Sequence, residues 1–138
     1  MGNDWGFQPI SDLTLILGDP KLMSSELPFS METLMEQCGG MASVVESVLD
    51  AFLEQVPTDT NEMETGLASG DLVMVSKAAH RLKGTAGVLG AMKLHPLCAA
   101  LELAGKQGNA DEATKIYSEL KTEAQLCVDA VPVAKARL

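Results

Sequence analysis

The chain has 138 residues, 46% of them hydrophobic but only 4% aromatic, and carries a formal charge of −9. That length fits one domain able to bury a core of its own, and a composition rich in Ala, Leu, Val and Met favours helices packed on helices over a β-sandwich. The negative charge excludes a general nucleic-acid binder, because a phosphate backbone would be repelled, and disfavours anionic membrane surfaces.

Residues 1–29 differ from the rest. They hold the single Trp (Trp5), two of the three Phe (Phe7, Phe29) and three of the six Pro (Pro9, Pro20, Pro28). Residues 12–20, DLTLILGDP, form a short apolar run closed by a turn signal. This segment reads as an N-terminal extension that covers core surface.

From Ser30 the chain punctuates as helices. Ser30 is an N-cap for a short helix through Cys38, ended by Gly39-Gly40. Met41, Val44, Val45, Val48, Leu49, Phe52, Leu53 and Val56 recur at steps of three and four, an amphipathic helix that Pro57 is expected to close. Thr58 would cap the next helix, which holds Met63 and Leu67 and stops at Gly70. Asp71 caps a helix over residues 72–89. Pro96 fits the first turn of another, to about Gln107, with Leu94, Leu97, Leu101 and Ala104 facing inward. Gly108 closes that helix. Asn109 with Glu112 resembles a capping box for the last one, built on Ala113, Ile116, Leu120, Ala124 and Cys127. Pro132 is expected to limit it, leaving residues 132–138 as a tail.

No strand-like alternation occurs. Short loops between such helices imply antiparallel neighbours. The expected fold is all-α: an up-down four-helix bundle over residues 30–131, with an additional short N-terminal helix and the extension.

Cys38, Cys98 and Cys127 are odd in number and widely spaced, with no CxxC or Cys/His metal spacing. Reduced thiols in a cytoplasmic protein are the expectation. No signal-peptide pattern and no apolar run near 18 residues is present, so no membrane span is expected.

The most informative stretch is residues 72–101. It contains no Asp or Glu, yet holds Lys77, Arg81, Lys83, Lys93 and both histidines, His80 and His95. Residues 22–71 are the reverse, with ten acidic residues and no Lys or Arg. At about 100° per residue, Leu72, Val75, Ala79, Leu82, Ala86 and Leu89 form a core stripe, while Lys77, His80, Gly84 and Gly87 gather about 150° away. His80 should therefore be exposed. Helical glycine costs about 1 kcal/mol relative to Ala. Two on an exposed face make sense if another molecule must approach closely at His80. Lys83, one turn on, can reach an anionic group on the imidazole.

His80, Leu82, Lys83, Gly84 and Gly90 resemble the motif of the histidine-containing phosphotransfer (HPt) domain family, His-x-Leu-Lys-Gly followed by a further Gly. The flanks are similar too: residues 50–80 with their Gly70-Asp71 turn, and LHPLCAALELAGKQGN over residues 94–109. About residues 30–128 are covered. The resemblance implies a phosphorelay carrier without kinase activity of its own. A histidine takes a phosphoryl group from the aspartyl phosphate of a receiver domain and gives it to the Asp of another. An ordinary imidazole, with a pKa of about 6.5, is substantially neutral at pH 7 and can act as a nucleophile.

By position, the resemblance makes His80 the phosphoacceptor through Nε2 and Lys83 the residue that offsets phosphoryl charge. Gly84, Gly87, Lys77 and Arg81 fall on the receiver-docking side. Glu102 stands where family members place a polar side chain that holds the imidazole Nδ1, often Gln, and Lys106 one turn further is a flanking basic residue. No bound metal or other cofactor is implied; Mg²⁺ is expected on the partner receiver. The expected partners are receiver domains of hybrid kinases and response regulators, met by a monomer. Met1 and the lone domain favour a stand-alone shuttle. The alternatives are an HPt domain from a larger hybrid or chemotaxis-type kinase, and an adaptor that binds receivers without transfer. An enzyme is disfavoured: no Glu-x-x-His pair, His-x-x-x-His pair or phosphate-binding glycine loop occurs. His95, before Pro96, reads as structural or exposed, and the acidic stretch of residues 30–71 as a solvated face.

Overall fold

The computed structural model describes residues 27–138. They form five helices: α1 (Met31–Gln37), α2 (Ala42–Ser69), α3 (Leu72–Leu89), α4 (Leu94–Lys106) and α5 (Ala110–Ala136). No strand occurs among the described residues. Helices α2 to α5 run up and down around one core. α3 packs between α2 and α4, and α5 closes the ring against α4 and α2. The short α1 lies across α3 and α2.

The core is aliphatic, with Leu49, Phe52, Met63, Val75, Leu82, Leu89, Leu101 and Leu120 all fully buried. The α3 stripe lies as its phase requires: Val75, Ala79, Leu82, Ala86 and Leu89 are at 0% exposure, and Leu72 is half-buried. Capping explains the boundaries. The Ser30 hydroxyl accepts from the Thr33 amide, the Asp71 carboxylate from Met74 and the Asn109 carbonyl from Glu112, each at 3.1 Å. Gly70 and Gly90 take left-handed φ values of 78° and 66° and end α2 and α3.

Two helix ends expected at prolines are corrected. α2 does not stop at Pro57; it runs on to Ser69, and Thr58 caps nothing. Phe52, Val56, Met63 and Gly66 lie buried on both sides of the proline, so breaking the helix would expose one core stripe in its middle. Pro57 itself faces solvent, and the hydroxyl of Thr60 donates to the Val56 carbonyl at 2.7 Å. Packing thus outweighs the local penalty of about 3 kcal/mol for a helical proline. α5 likewise passes exposed Pro132 and ends at Ala136, because Val131 and Ala134 are buried. Most of the expected tail, residues 132–138, is helix.

Of the N-terminal extension, residues 1–26 lie outside the described residues. Its end belongs to the core: Phe29 is buried, and the Ser30 amide donates to the Leu89 carbonyl at 2.9 Å. Cys38, Cys98 and Cys127 are free and buried. Burial pushes the thiols of Cys98 and Cys127 up to about 12, which keeps both inert.

Candidate functional site

The site forms where α4 presses on α3. Gly105 makes the approach possible: a Cβ there would lie 2.9 Å from the Leu72 carbonyl oxygen and 3.0 Å from Ser76 Cβ. The Ser76 hydroxyl donates across to the Glu102 carbonyl at 3.2 Å. This contact fixes the register of the two antiparallel helices and sets the Glu102 side chain beside His80.

His80 stands out from α3 with 65% of its side chain exposed. Its Nδ1 lies 2.9 Å from Glu102 Oε2. Glu102 is nearly enclosed, its side chain 9% exposed, and it serves three partners. Lys83 Nζ is 2.8 Å from Oε1, and Lys106 Nζ is 3.1 Å from Oε2. The Lys83 ammonium, more than the Lys106 ammonium and the His80 ring N–H, holds the Glu102 carboxyl well below the usual carboxylate range, at about 2, against the opposing effect of burial. At neutral pH Glu102 is therefore an ionised acceptor with no proton to give. The Nδ1–H must donate to it, and a neutral ring then carries its lone pair on Nε2.

The four residues His80, Lys83, Glu102 and Lys106 thus form one cluster. Gly84, one turn beyond His80, is exposed, and a Cβ built there would meet nothing within 4 Å. Gly87 is different: a Cβ there would touch His95 Cδ2 at 3.5 Å, so the His95 ring lies over it. Lys77 is exposed one turn before His80. Arg81 is drawn to the other flank of α3. Its guanidinium donates from Nε and Nη2 to Asp59 Oδ1 at 3.1 and 2.9 Å, and from Nη2 to Glu62 Oε1 at 2.7 Å.

That second flank contains residues sequence reasoning missed. Asp59, read as part of a solvated acidic face, is 1% exposed. Gln55 donates to its Oδ2 at 2.9 Å, and the Thr85 hydroxyl donates to Gln55 Oε1 at 2.6 Å. A signal did exist. Asp59 falls in the stripe Phe52, Val56, Met63, Gly66 once the helix is continued through Pro57.

Comparison with known proteins identifies the family. The model of the Hpt domain matches residues 47–131. The chain belongs to the Hpt domain family. As an Hpt domain it is a phosphotransfer intermediate in general terms. Multistep phosphorelay regulator 1 of Schizosaccharomyces pombe is 30% identical over 74 residues, covering 54% of this chain and 25% of that protein. The match thus spans about a quarter of the length of that curated relative. Among solved structures, histidine-containing phosphotransfer protein B (HptB) from Pseudomonas aeruginosa PAO1 superposes with a TM-score of 0.73. The alignment covers 80% of this Hpt chain and 96% of that one at 20% identity, a likeness of fold alone. Among the described residues no helix is long and apolar enough to cross a membrane, and no group of three or more His, Cys, Asp or Glu could hold a metal ion.

Proposed function

We propose that this Hpt domain carries a phosphoryl group on His80 Nε2, taking it from the aspartyl phosphate of one receiver domain and giving it to the Asp of another. One observation carries the reading: an exposed imidazole whose Nδ1–H is held by an ionised carboxylate, leaving Nε2 as the nucleophile. In the step, the Nε2 lone pair forms a bond to phosphorus as the P–O bond to the donor aspartate breaks, and that electron pair returns to the carboxylate. The ring keeps its Nδ1 proton, and Glu102 offsets the positive charge that develops. Onward transfer reverses these movements with a second aspartate as nucleophile.

Catalysis of such a transfer is mostly positioning and charge stabilisation. The chain supplies the nucleophile, Lys83 for phosphoryl charge and an open surface at Gly84. Mg²⁺ belongs to the receiver. Exposed Val73, which shares the α3 face of Lys77 and His80 by helical phase, and exposed Leu103, next to Glu102, offer apolar area for a docking partner. On this reading the protein is a carrier without kinase activity of its own.

The test is His80→Gln, exposed to a phosphorylated receiver domain. Acid-labile labelling should vanish while circular dichroism and melting stay as in the wild type, because an exposed side chain gives up no packing. His95→Gln should label normally. Full labelling of His80→Gln would move the acceptor elsewhere and end this reading. Binding of the receiver without labelling of the wild type would make the chain an adaptor.

A further inference from the structure

We propose that Lys106 is a reserve counter-ion: it keeps the Glu102 carboxylate paired while Lys83 leaves it for a phosphoryl group on His80. The inference rests on the reading of His80 as phosphoacceptor and concerns what the lysines do next.

In the bare protein Lys83 is not waiting for phosphate. It is tied to Glu102 Oε1 at 2.8 Å, with its side chain only 29% exposed. To meet an anion on Nε2 it must let go. If it were the only cation on Glu102, its departure would strand an enclosed carboxylate, which is strongly unfavourable. Lys106 removes that obstacle. It reaches Oε2 from one turn along α4 itself, at 3.1 Å, and does not depend on α3. The carboxylate therefore keeps one ammonium and the Nδ1–H when Lys83 moves.

Charge supplies the direction. The two ammonium groups and one carboxylate leave the resting cluster with a surplus of one positive charge. A phosphoryl group brings about −1.5 to −2 at pH 7, on the ring nitrogen opposite the one Glu102 holds. Lys83, rooted one turn from His80 on the same helix, is the cation placed to answer it. Lysine suits the exchange, because a point charge on a flexible four-carbon stem pivots without breaking a bidentate fork. With a neutral amide at position 102 no carboxylate would be stranded, and no reserve would be needed.

Phosphoramidate tests this without a receiver. The imidazole lone pair bonds to phosphorus, the donor P–N bond breaks, and its electron pair leaves with ammonia. The full chain is followed by the ¹⁵N–¹H signals of its lysine ammonium groups and by initial labelling rate, in the wild type, Lys106→Met, Glu102→Gln and Glu102→Gln/Lys106→Met. On labelling, the Lys83 signal should move and the Lys106 signal should stay. Lys106→Met should slow labelling about fivefold, as expected for loss of a charge-assisted contact, whereas the double variant should label within about twofold of Glu102→Gln alone, because without the carboxylate the reserve has nothing to pair. Lys106 is 64% exposed, so its loss should leave the melt unchanged. A Lys83 signal that stays in place on labelled wild-type protein overturns the hand-over, as does Lys106→Met labelled at the wild-type rate. Wild-type protein labelled no more than His80→Gln would instead overturn the phosphoacceptor reading, and the hand-over with it.

Discussion

The helix that carries His80 is gripped on both flanks by an enclosed carboxylate, and the two grips differ in kind. On the α2 side Asp59 meets the two-nitrogen fork of Arg81, with Gln55, Thr85 and Glu62 completing the set. On the α4 side Glu102 meets two lysines and an imidazole. A planar guanidinium in a fork resists exchange, whereas an ammonium has no fixed orientation. The first grip holds α3 in register. The second holds charges that can be redistributed. If His80 gains and loses a phosphoryl dianion as proposed, the site needs both: a helix that does not shift, and counter-charges that do.

The sharpest way to break this contrast is on the rigid side. Arg81→Leu leaves the Asp59 carboxylate, 1% exposed, with Gln55 as its remaining partner. Loss of one partner of a fully buried pair costs about 3 kcal/mol or more; Arg81 is 45% exposed, so water can partly replace it and the cost here should be smaller. The melting temperature should fall clearly. Below the transition, however, phosphotransfer per folded molecule should stay near the wild-type rate, because the guanidinium points away from His80. A drop in rate at unchanged stability would return Arg81 to the docking surface, where its position in the motif first suggested it belongs.

The next comparison separates fit from fold. Gly84→Gln adds a side chain where nothing lies within 4 Å, so no internal contact opposes it. Helix propensity favours Gln over Gly by about 0.5 kcal/mol. The melt should hold or rise slightly, while transfer from a receiver slows by about tenfold or more as close approach is blocked. Phosphoramidate, being small, should label this variant at nearly the wild-type rate. An early melt with normal transfer would mean the glycine serves the bundle and that the docking face lies elsewhere.

These two flanks were not equally legible in the sequence. The α4 side could be read because His80, Lys83 and Gly84 fall within one turn and match the motif of the resembled family, and that resemblance in turn marks Glu102 and Lys106, one turn apart on the following helix. The four-helix architecture followed from the same periodicity and from the caps at Ser30, Asp71 and Asn109. The α2 side stayed hidden behind Pro57. Reading that proline as a terminus reset the helical phase and left Asp59 among solvated acids. Local backbone chemistry pointed one way and the burial of Val56, Met63 and Gly66 the other, and only the assembled core decides such a contest. The three-fold sharing of Glu102 was equally out of reach, since it depends on how closely Gly105 lets α4 approach α3.

The smallest effect tests the electrostatics of the exchangeable side. The folded state holds the Glu102 carboxyl at about 2, against an ordinary 4.5. A depressed carboxyl contributes stability that is complete above its unfolded value and is lost as pH falls through the folded one. The contribution should therefore be constant at neutral pH, shrink from about pH 4.5 downward and be gone near pH 2. Glu102→Gln lacks it at every pH. Melts of the two proteins should accordingly be separated by a constant gap down to about pH 5 and then converge on further acidification. Other carboxylates, Glu64 beside Lys121 and Tyr117 among them, titrate in both proteins and cancel in the difference. The gap should be modest, because the two lysines reach the carboxylate from a partly exposed surface where solvent and salt screen them. It should also narrow in high salt. A difference that stays flat from pH 6 to pH 2 would mean the ammonium groups do not hold Glu102 as an anion. The tautomer argument for Nε2 would then lose its support, since a protonated Glu102 could donate to Nδ1 and reverse the two ring nitrogens.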